Sequence, residues 1–338
     1  MRRFAQFTSV FFAPAQQSDN KQSKLWHAPH DFELSFVFTA EHTLVLVHAV
    51  VDSWDRTRQL ACEILQMIPG TMLAGFETPQ QVASLVSWTR SLVGSPRVKE
   101  SDAGALILKV LYCRYVQGAR WSVKIKDSVQ VVATANDSSP ALSFCWELVH
   151  MLEQQTHLSR QDMERASLQS LVHGLLLTLR YCFSETDFRN MCAPSIRQWR
   201  KMVKAILEVL TGVAEISLWA IGDKTAYGSG CLPADSSGRV GFADIIETSD
   251  GDQVVAPKEQ MLVVGSWLSC KEMSCLLGTM ATHLPLQPTS DSADKDQESE
   301  PNFLLSAGQI EEMQAPTFFP WRQHAQFSSF LFGLVSVK

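Results

Sequence analysis

The sequence lacks most of the patterns that carry chemistry. It has no C-x-x-C pair, no H-E-x-x-H and no Cys/His ligand spacing, so a zinc site has no starting point. No Ser, Cys or Thr has the flanks of a nucleophile elbow. The loop Tyr227-Gly228-Ser229-Gly230-Cys231 lacks the third glycine of G-x-G-x-x-G, and no G-K-S/T follows, so it reads as an ordinary loop. Strand–helix alternation is missing, which excludes a doubly wound sheet and with it the usual scaffold for dinucleotide or S-adenosylmethionine chemistry. No run approaches the ~20 apolar residues of a membrane span. The basic start of MRRFAQFTSVFFAPAQQ is interrupted by Gln6, Thr8 and Ser9, which makes a poor signal peptide. The expectation is a chain with no metal, no cofactor, no membrane insertion and no catalysis of its own.

A strong charge of either sign is also absent. The 338 residues carry a net charge of −6, with 46% hydrophobic and 19% charged residues, the profile of a folded domain. Five acids and one Lys between Asp291 and Glu300 account for −4 of that charge, leaving a near-neutral body on which local basic patches can form. The eight cysteines (Cys62, Cys113, Cys145, Cys182, Cys192, Cys231, Cys270 and Cys275) are scattered, mostly in apolar helical stretches. They read as reduced core thiols, which suits the cytosol or nucleus.

What is present is helical periodicity. A short apolar run at 43–51 is followed by 55–68, where Leu60, Ala61, Ile64, Leu65 and Ile68 form one face and Pro69-Gly70 stops the helix. Joined by an Asp-containing turn and opening D-R-T-R, the two make a HEAT-type helix pair. Further helices are expected at 78–93, 102–116, 140–154, 160–183, 195–211, 258–283 and 306–313. Residues 118–138 alternate at period two and read as a hairpin or insertion loop; residues 222–256 read as a second long loop. The fold class expected is all-α, a HEAT/armadillo-like solenoid with long insertions. Its divisions are a poorly ordered 1–34, a repeat region at 35–284, an acidic loop at 285–302, a short helix at 303–313 and a tail at 314–338.

Two segments stand out as candidate sites. Arg189, Arg197, Arg200, Lys201 and Lys204 follow one another with no acid between them. On a helix Arg197, Arg200 or Lys201, and Lys204 are spaced three and four apart and share a face opposite Trp199 and Leu207, a stripe able to meet RNA phosphates. The segment from Val263 to Thr279 is apolar almost all round, with only Lys271 and Glu272 charged. These two project about 100° apart, so each is expected to pair with another helix rather than with its neighbour. His173, in an apolar helix, reads as a hydrogen-bonded core histidine.

The run VVGSWLSCKEMSCLLGTM resembles the signature block of the thyroid adenoma-associated protein family, which includes the yeast adaptor of a tRNA ribose methyltransferase. The matching positions are Trp267, Lys271, Glu272, Ser274, Leu276, Leu277, Gly278 and Thr279. ESDAGALILKVLYCRYV at 100–116 and SLVHGLLLTLRYCF at 170–183 extend the resemblance, which covers roughly 35–314.

The resemblance implies a helical scaffold with no active site, bound to a 2′-O-methyltransferase catalytic subunit. Together they would modify the ribose of nucleotide 32 in the tRNA anticodon loop, in the cytosol, with methyl donor and catalytic residues on the partner. Trp267, Lys271, Glu272, Leu276, Leu277 and Gly278 then become interface candidates. A generic HEAT-type interaction scaffold, regulating a membrane calcium pump, is the alternative. Family members are far longer. LLSAGQIEEM at 304–313 still fits them, whereas QAPTFFPWRQHAQFSSFLFGLVSVK from 314 onward does not, so a fragment or short splice product is expected.

Overall fold

A computed structural model describes residues 38–133, 139–162, 165–166, 172–222, 258–287 and 303–314. The described residues are all-α apart from one two-stranded sheet. They fall into two compact units: Met1–Val93 with Asp102–Phe144, and Gly94–Ser101 with Cys145–Lys338.

The first unit opens with α1 (Ala40–Ala49) and α2 (Asp55–Met67), packed on each other through a short turn. The turn is held by its own residues. Asp52 accepts the N–H of Trp54 at 2.8 Å, and buried Arg58 donates to the carbonyls of Asp52 and Ser53 at 3.1 and 3.3 Å. Ala61, Ile64, Leu65 and Ile68 are buried, the face anticipated from their spacing.

Helix α3 (Pro79–Val93) starts on a reciprocal cap. Thr78 accepts from the N–H of Gln81, and the Gln81 side chain accepts from the N–H of Thr78. Helix α4 (Val98–Leu111) begins four residues earlier than its periodicity suggests. The cause is local: Ser95 accepts the N–H of Arg97 and donates to Glu100, which supplies a start upstream of Asp102.

The chain then continues as a π-helical stretch, Tyr112–Gly118. From it Arg114 donates to the carbonyls of Gln66 and Ile68, while the Tyr115 hydroxyl accepts from Leu73 N–H and donates to Phe76. Both side chains hold the connection between α2 and α3. The period-two segment is a hairpin, β1 (Ser122–Lys124) against β2 (Gln130–Val132), with Val123 opposite Val131.

The second unit contains most of α5 (Pro140–Gln161), then α6 (His173–Glu185), α7 (Ala193–Gly222), α8 (Lys258–His283) and α9 (Ala307–Gln314). The expectation of one helix over 160–183 is corrected. Helix α5 runs on to Gln161, and Asp162 then accepts the N–H of Arg165 at 2.9 Å, a capping contact that ends one helix and begins another turn. Leu168 and Leu171, within that expected helix, lie outside the described residues. Helix α7 is much longer than 195–211 and buries Ile196, Trp199, Met202, Val203, Ile206, Leu207 and Leu210.

Trp199 meets Phe183 and Phe188 edge-on, at 5.8 and 5.1 Å between ring centroids. Helices α5 and α7 approach closely at Gly212, where a Cβ would lie 3.2 Å from Thr156 Cγ2. Helix α8 packs on both α6 and α7. After α8 the backbone folds back on the approach to α9: Gln287 N–H donates to Leu305, and Leu304 N–H donates to Pro285.

The loop at 222–256, the acidic stretch, the N-terminal segment and the tail beyond Gln314 lie wholly or mostly outside the described residues, as do Tyr227 to Cys231. No helix among the described residues is long and apolar enough to cross a membrane.

Candidate interaction site

Helix α8 is buried on nearly every side from Leu262 to Leu277, because α6 and α7 flank a segment with almost no polar residues. Leu276 and Leu277 are core residues; Trp267 is half-buried; Gly278 is exposed. The two charges separate by depth. The side chain of Lys271 is 51% exposed, that of Glu272 only 6%.

Glu272 reaches Arg180 of α6 at 3.1 Å, the inter-helix ion pair anticipated for it. It also pairs with Lys271 at 3.4 Å, which corrects the expectation that the neighbours cannot meet. Their Cβ directions do diverge, but the long Lys stem bends back over the helix to the carboxylate already held by Arg180. One buried acid thus serves two cations.

His173, one residue into α6, is fully buried near this cluster. It is not the hydrogen-bonded core histidine anticipated: neither ring nitrogen has a partner among the described residues. Burial, and then the charge of Lys271, push its pKa down to about 4. The ring is therefore neutral at pH 7. Nearby, burial pushes the Cys270 thiol up to about 12 despite a hydrogen bond from Ser217 of α7, and burial also raises Cys275. Cys270 is a packing group of the core, while Cys275 is half-exposed. No group of residues able to hold a metal ion occurs among the described residues.

The basic stripe is only partly one surface. Arg197, Lys201 and Lys204 lie exposed along α7, and Arg189 is exposed in the turn before it. Lys204 faces Glu208 one turn on, at 3.8 Å. Arg200 leaves the stripe. It is half-buried, donates twice to the carbonyl of Phe303 at 3.0 and 2.6 Å, and stacks on the Phe303 ring at 4.6 Å. Its role is to fasten the approach to α9 onto α7.

Arg180 was not singled out from the sequence. A signal existed: it is the only Lys, Arg, Asp or Glu between 173 and 184, a lone cation in an apolar helix that matches the buried Glu272 of α8.

The match to a known family falls on this unit. Residues 201–318 match the family described as THADA/TRM732, DUF2428. The chain is 21% identical over 275 residues to the tRNA (32-2'-O)-methyltransferase regulator THADA of Drosophila melanogaster, an alignment that covers 80% of this chain and 14% of that protein. The chain therefore spans a small part of the length of the curated relative it matches. No solved structure matches it. The matched stretch takes in most of α7 and all of α8 and α9, with the Trp267 to Thr279 block in its interior, so it is this part of the chain that is similar to the THADA/TRM732, DUF2428 family.

Proposed function

We propose that this chain works as part of a non-catalytic, cytosolic adaptor that supports a separate 2′-O-methyltransferase in modifying nucleotide 32 of the tRNA anticodon loop. The observation that carries this reading is positional. The stretch similar to the THADA/TRM732, DUF2428 family contains the exposed cations Lys201 and Lys204, with Arg197 just upstream on the same helix. In this reading α7 contacts the tRNA backbone and the methyltransferase contributes the methyl donor site. The helix pair α1–α2, with its Arg58-braced turn, is one unit of a HEAT-type array.

Phosphate contacts release counterions, so each one adds about 0.9 to the slope of log affinity against log salt on duplex nucleic acid. The test is reconstitution. Methyl transfer to a tRNA transcript is measured with the catalytic subunit alone and with this chain added, alongside tRNA affinity across a salt series. Stimulation, with a salt slope that shrinks by roughly 2 when Lys201 and Lys204 both become Glu, supports the proposal. No stimulation together with salt-independent binding sinks it.

A further inference from the structure

We propose that the outward strip of α8, made by Trp267, Lys271, Cys275, Gly278 and Thr282, is the seam on which a helix of the methyltransferase partner docks, laying its backbone over Gly278 and presenting a carboxylate to Lys271. The proposal rests on the adaptor reading above and adds the place and chemistry of the contact.

The strip follows from spacing. Its members are separated by four, four, three and four residues, which keeps them on one face at 100° per residue. That spacing is what a helix–helix seam requires. Along it Lys271, Gly278 and Thr282 are exposed and Trp267 and Cys275 half-buried, while Met273, Leu276, Leu277 and Met280 on the opposite side are buried.

Gly278 is the first pointer to an occupant. A glycine inside a helix costs about 1 kcal/mol relative to alanine. Gly104 and Gly212 have a visible reason for being glycine: a Cβ would meet the Val93 backbone at 2.5 Å in one case and Arg160 and Thr156 at 2.8 and 3.2 Å in the other. At Gly278 nothing lies within 4 Å of a Cβ, and its φ is not left-handed. No described part of the fold uses its missing side chain. A second backbone approaching closely would.

Charge is the second pointer. Among the described residues Arg180 and Lys271 share the single carboxylate of Glu272, so the cluster carries one positive charge in excess. The fully buried His173 under the influence of Lys271 adds no compensation, since its ring is neutral and both nitrogens are unpartnered among the described residues. A carboxylate supplied from outside completes the set and fixes the register of the incoming helix.

The strip suits a protein better than RNA. It offers one exposed cation flanked by an indole, a thiol, a glycine and a hydroxyl, whereas phosphate binding draws on several cations, and those lie along α7.

The test measures binding of the purified catalytic subunit to the whole chain and to two variants, Gly278→Leu and Lys271→Glu. The leucine enters open space, so α8 keeps its fold, and circular dichroism with a thermal melt verifies this. Each variant is expected to weaken binding at least tenfold while tRNA affinity of the isolated chain stays unchanged. A carboxylate-to-Lys change on the catalytic subunit is expected to restore Lys271→Glu and not Gly278→Leu. If Lys271→Glu does not fold, Gly278→Leu alone decides. Wild-type affinity in a folded Gly278→Leu variant overturns the seam and leaves the adaptor reading standing. Loss of self-association, with catalytic-subunit binding intact, assigns the strip to a second copy and also overturns it. If the wild-type chain does not bind the catalytic subunit, the adaptor reading fails, and the seam with it.

Discussion

Arg180 of α6 and Glu272 of α8 lie 3.1 Å apart, with the carboxylate buried and the guanidinium about a quarter exposed. Coupling of this kind ties two apolar helices in one register at the one point where both are polar. Its net worth is modest because both ions lose water on folding. Breaking it from one side is another matter. Arg180→Ala leaves a buried acid with only the half-exposed Lys271 beside it, and is expected to cost about 3 kcal/mol. Lys271→Ala is expected to cost under about 1 kcal/mol, since that pair is half in solvent. Urea unfolding of the three proteins checks the order; equal losses would show that Arg180 and Lys271 contribute alike.

His173 makes stability depend on pH. Its pKa is about 4 in the folded protein against 6.5 for a free imidazole. Above pH 6.5 both states are neutral and nothing is lost. As pH falls from 6.5 toward 4 the unfolded chain takes up a proton that the buried ring refuses, so stability drops. Below 4 the folded ring also charges and the loss levels off. The total is about 3 kcal/mol. Subtracting the pH profile of His173→Leu from the wild type isolates this effect. A difference curve that is flat between pH 6.5 and 4 counts against the assignment.

The elements were legible where periodicity was strong and uninterrupted. The buried faces of α2 and α7 follow directly from residues such as Ile64, Leu65, Ile206 and Leu210. Boundaries set by single hydrogen bonds were not. Ser95 starts α4 early and Asp162 ends α5 late, through contacts that composition does not reveal. The site was legible in part. The need of Glu272 for a partner on another helix follows from its isolation in an apolar segment, but naming Arg180 requires knowing that α6 and α8 are neighbours. Arg200 shows the opposite limit. Helical spacing places it with Lys201 on a solvent face, while a carbonyl 103 residues away draws it off.

Two glycine substitutions separate helix propensity from packing. Gly104→Ala drives a Cβ to 2.5 Å from the backbone nitrogen of Val93, which cannot yield as a side chain can. A loss of about 2 kcal/mol or more is expected. Gly278→Ala adds a methyl where there is open space and gains about 1 kcal/mol from propensity alone. Thermal melts of both variants test the contrast, and a destabilised Gly278→Ala would contradict the open space at this position.

Cysteine reactivity should follow environment. Cys192 is exposed, and a hydrogen bond with Ser195 at 3.2 Å holds its thiol below the ordinary range. Cys62, Cys145 and Cys182 are buried. Under native conditions iodoacetamide is expected to label Cys192 ahead of every other described cysteine, with the three buried thiols protected until unfolding. Peptide mass spectrometry over a time course reads the order directly. Cys145 or Cys182 labelling as fast as Cys192 would contradict it.

Arg200, Lys201 and Lys204 are cations on one helix with different expected phenotypes. Arg200 gives two hydrogen bonds and a ring contact to Phe303, geometry that lysine cannot copy. Arg200→Lys is expected to loosen the backbone pairing between 285–287 and 304–305, raising amide exchange at Gln287 and Leu304 while leaving net charge unchanged. Lys201→Glu and Lys204→Glu change charge and little else, because both side chains are exposed. Each is expected to shift stability by no more than about 0.5 kcal/mol. Hydrogen exchange and denaturant unfolding on the same samples separate the two classes. If Arg200→Lys leaves Gln287 and Leu304 as protected as in the wild type, the Phe303 contact is not what holds α9 against α7.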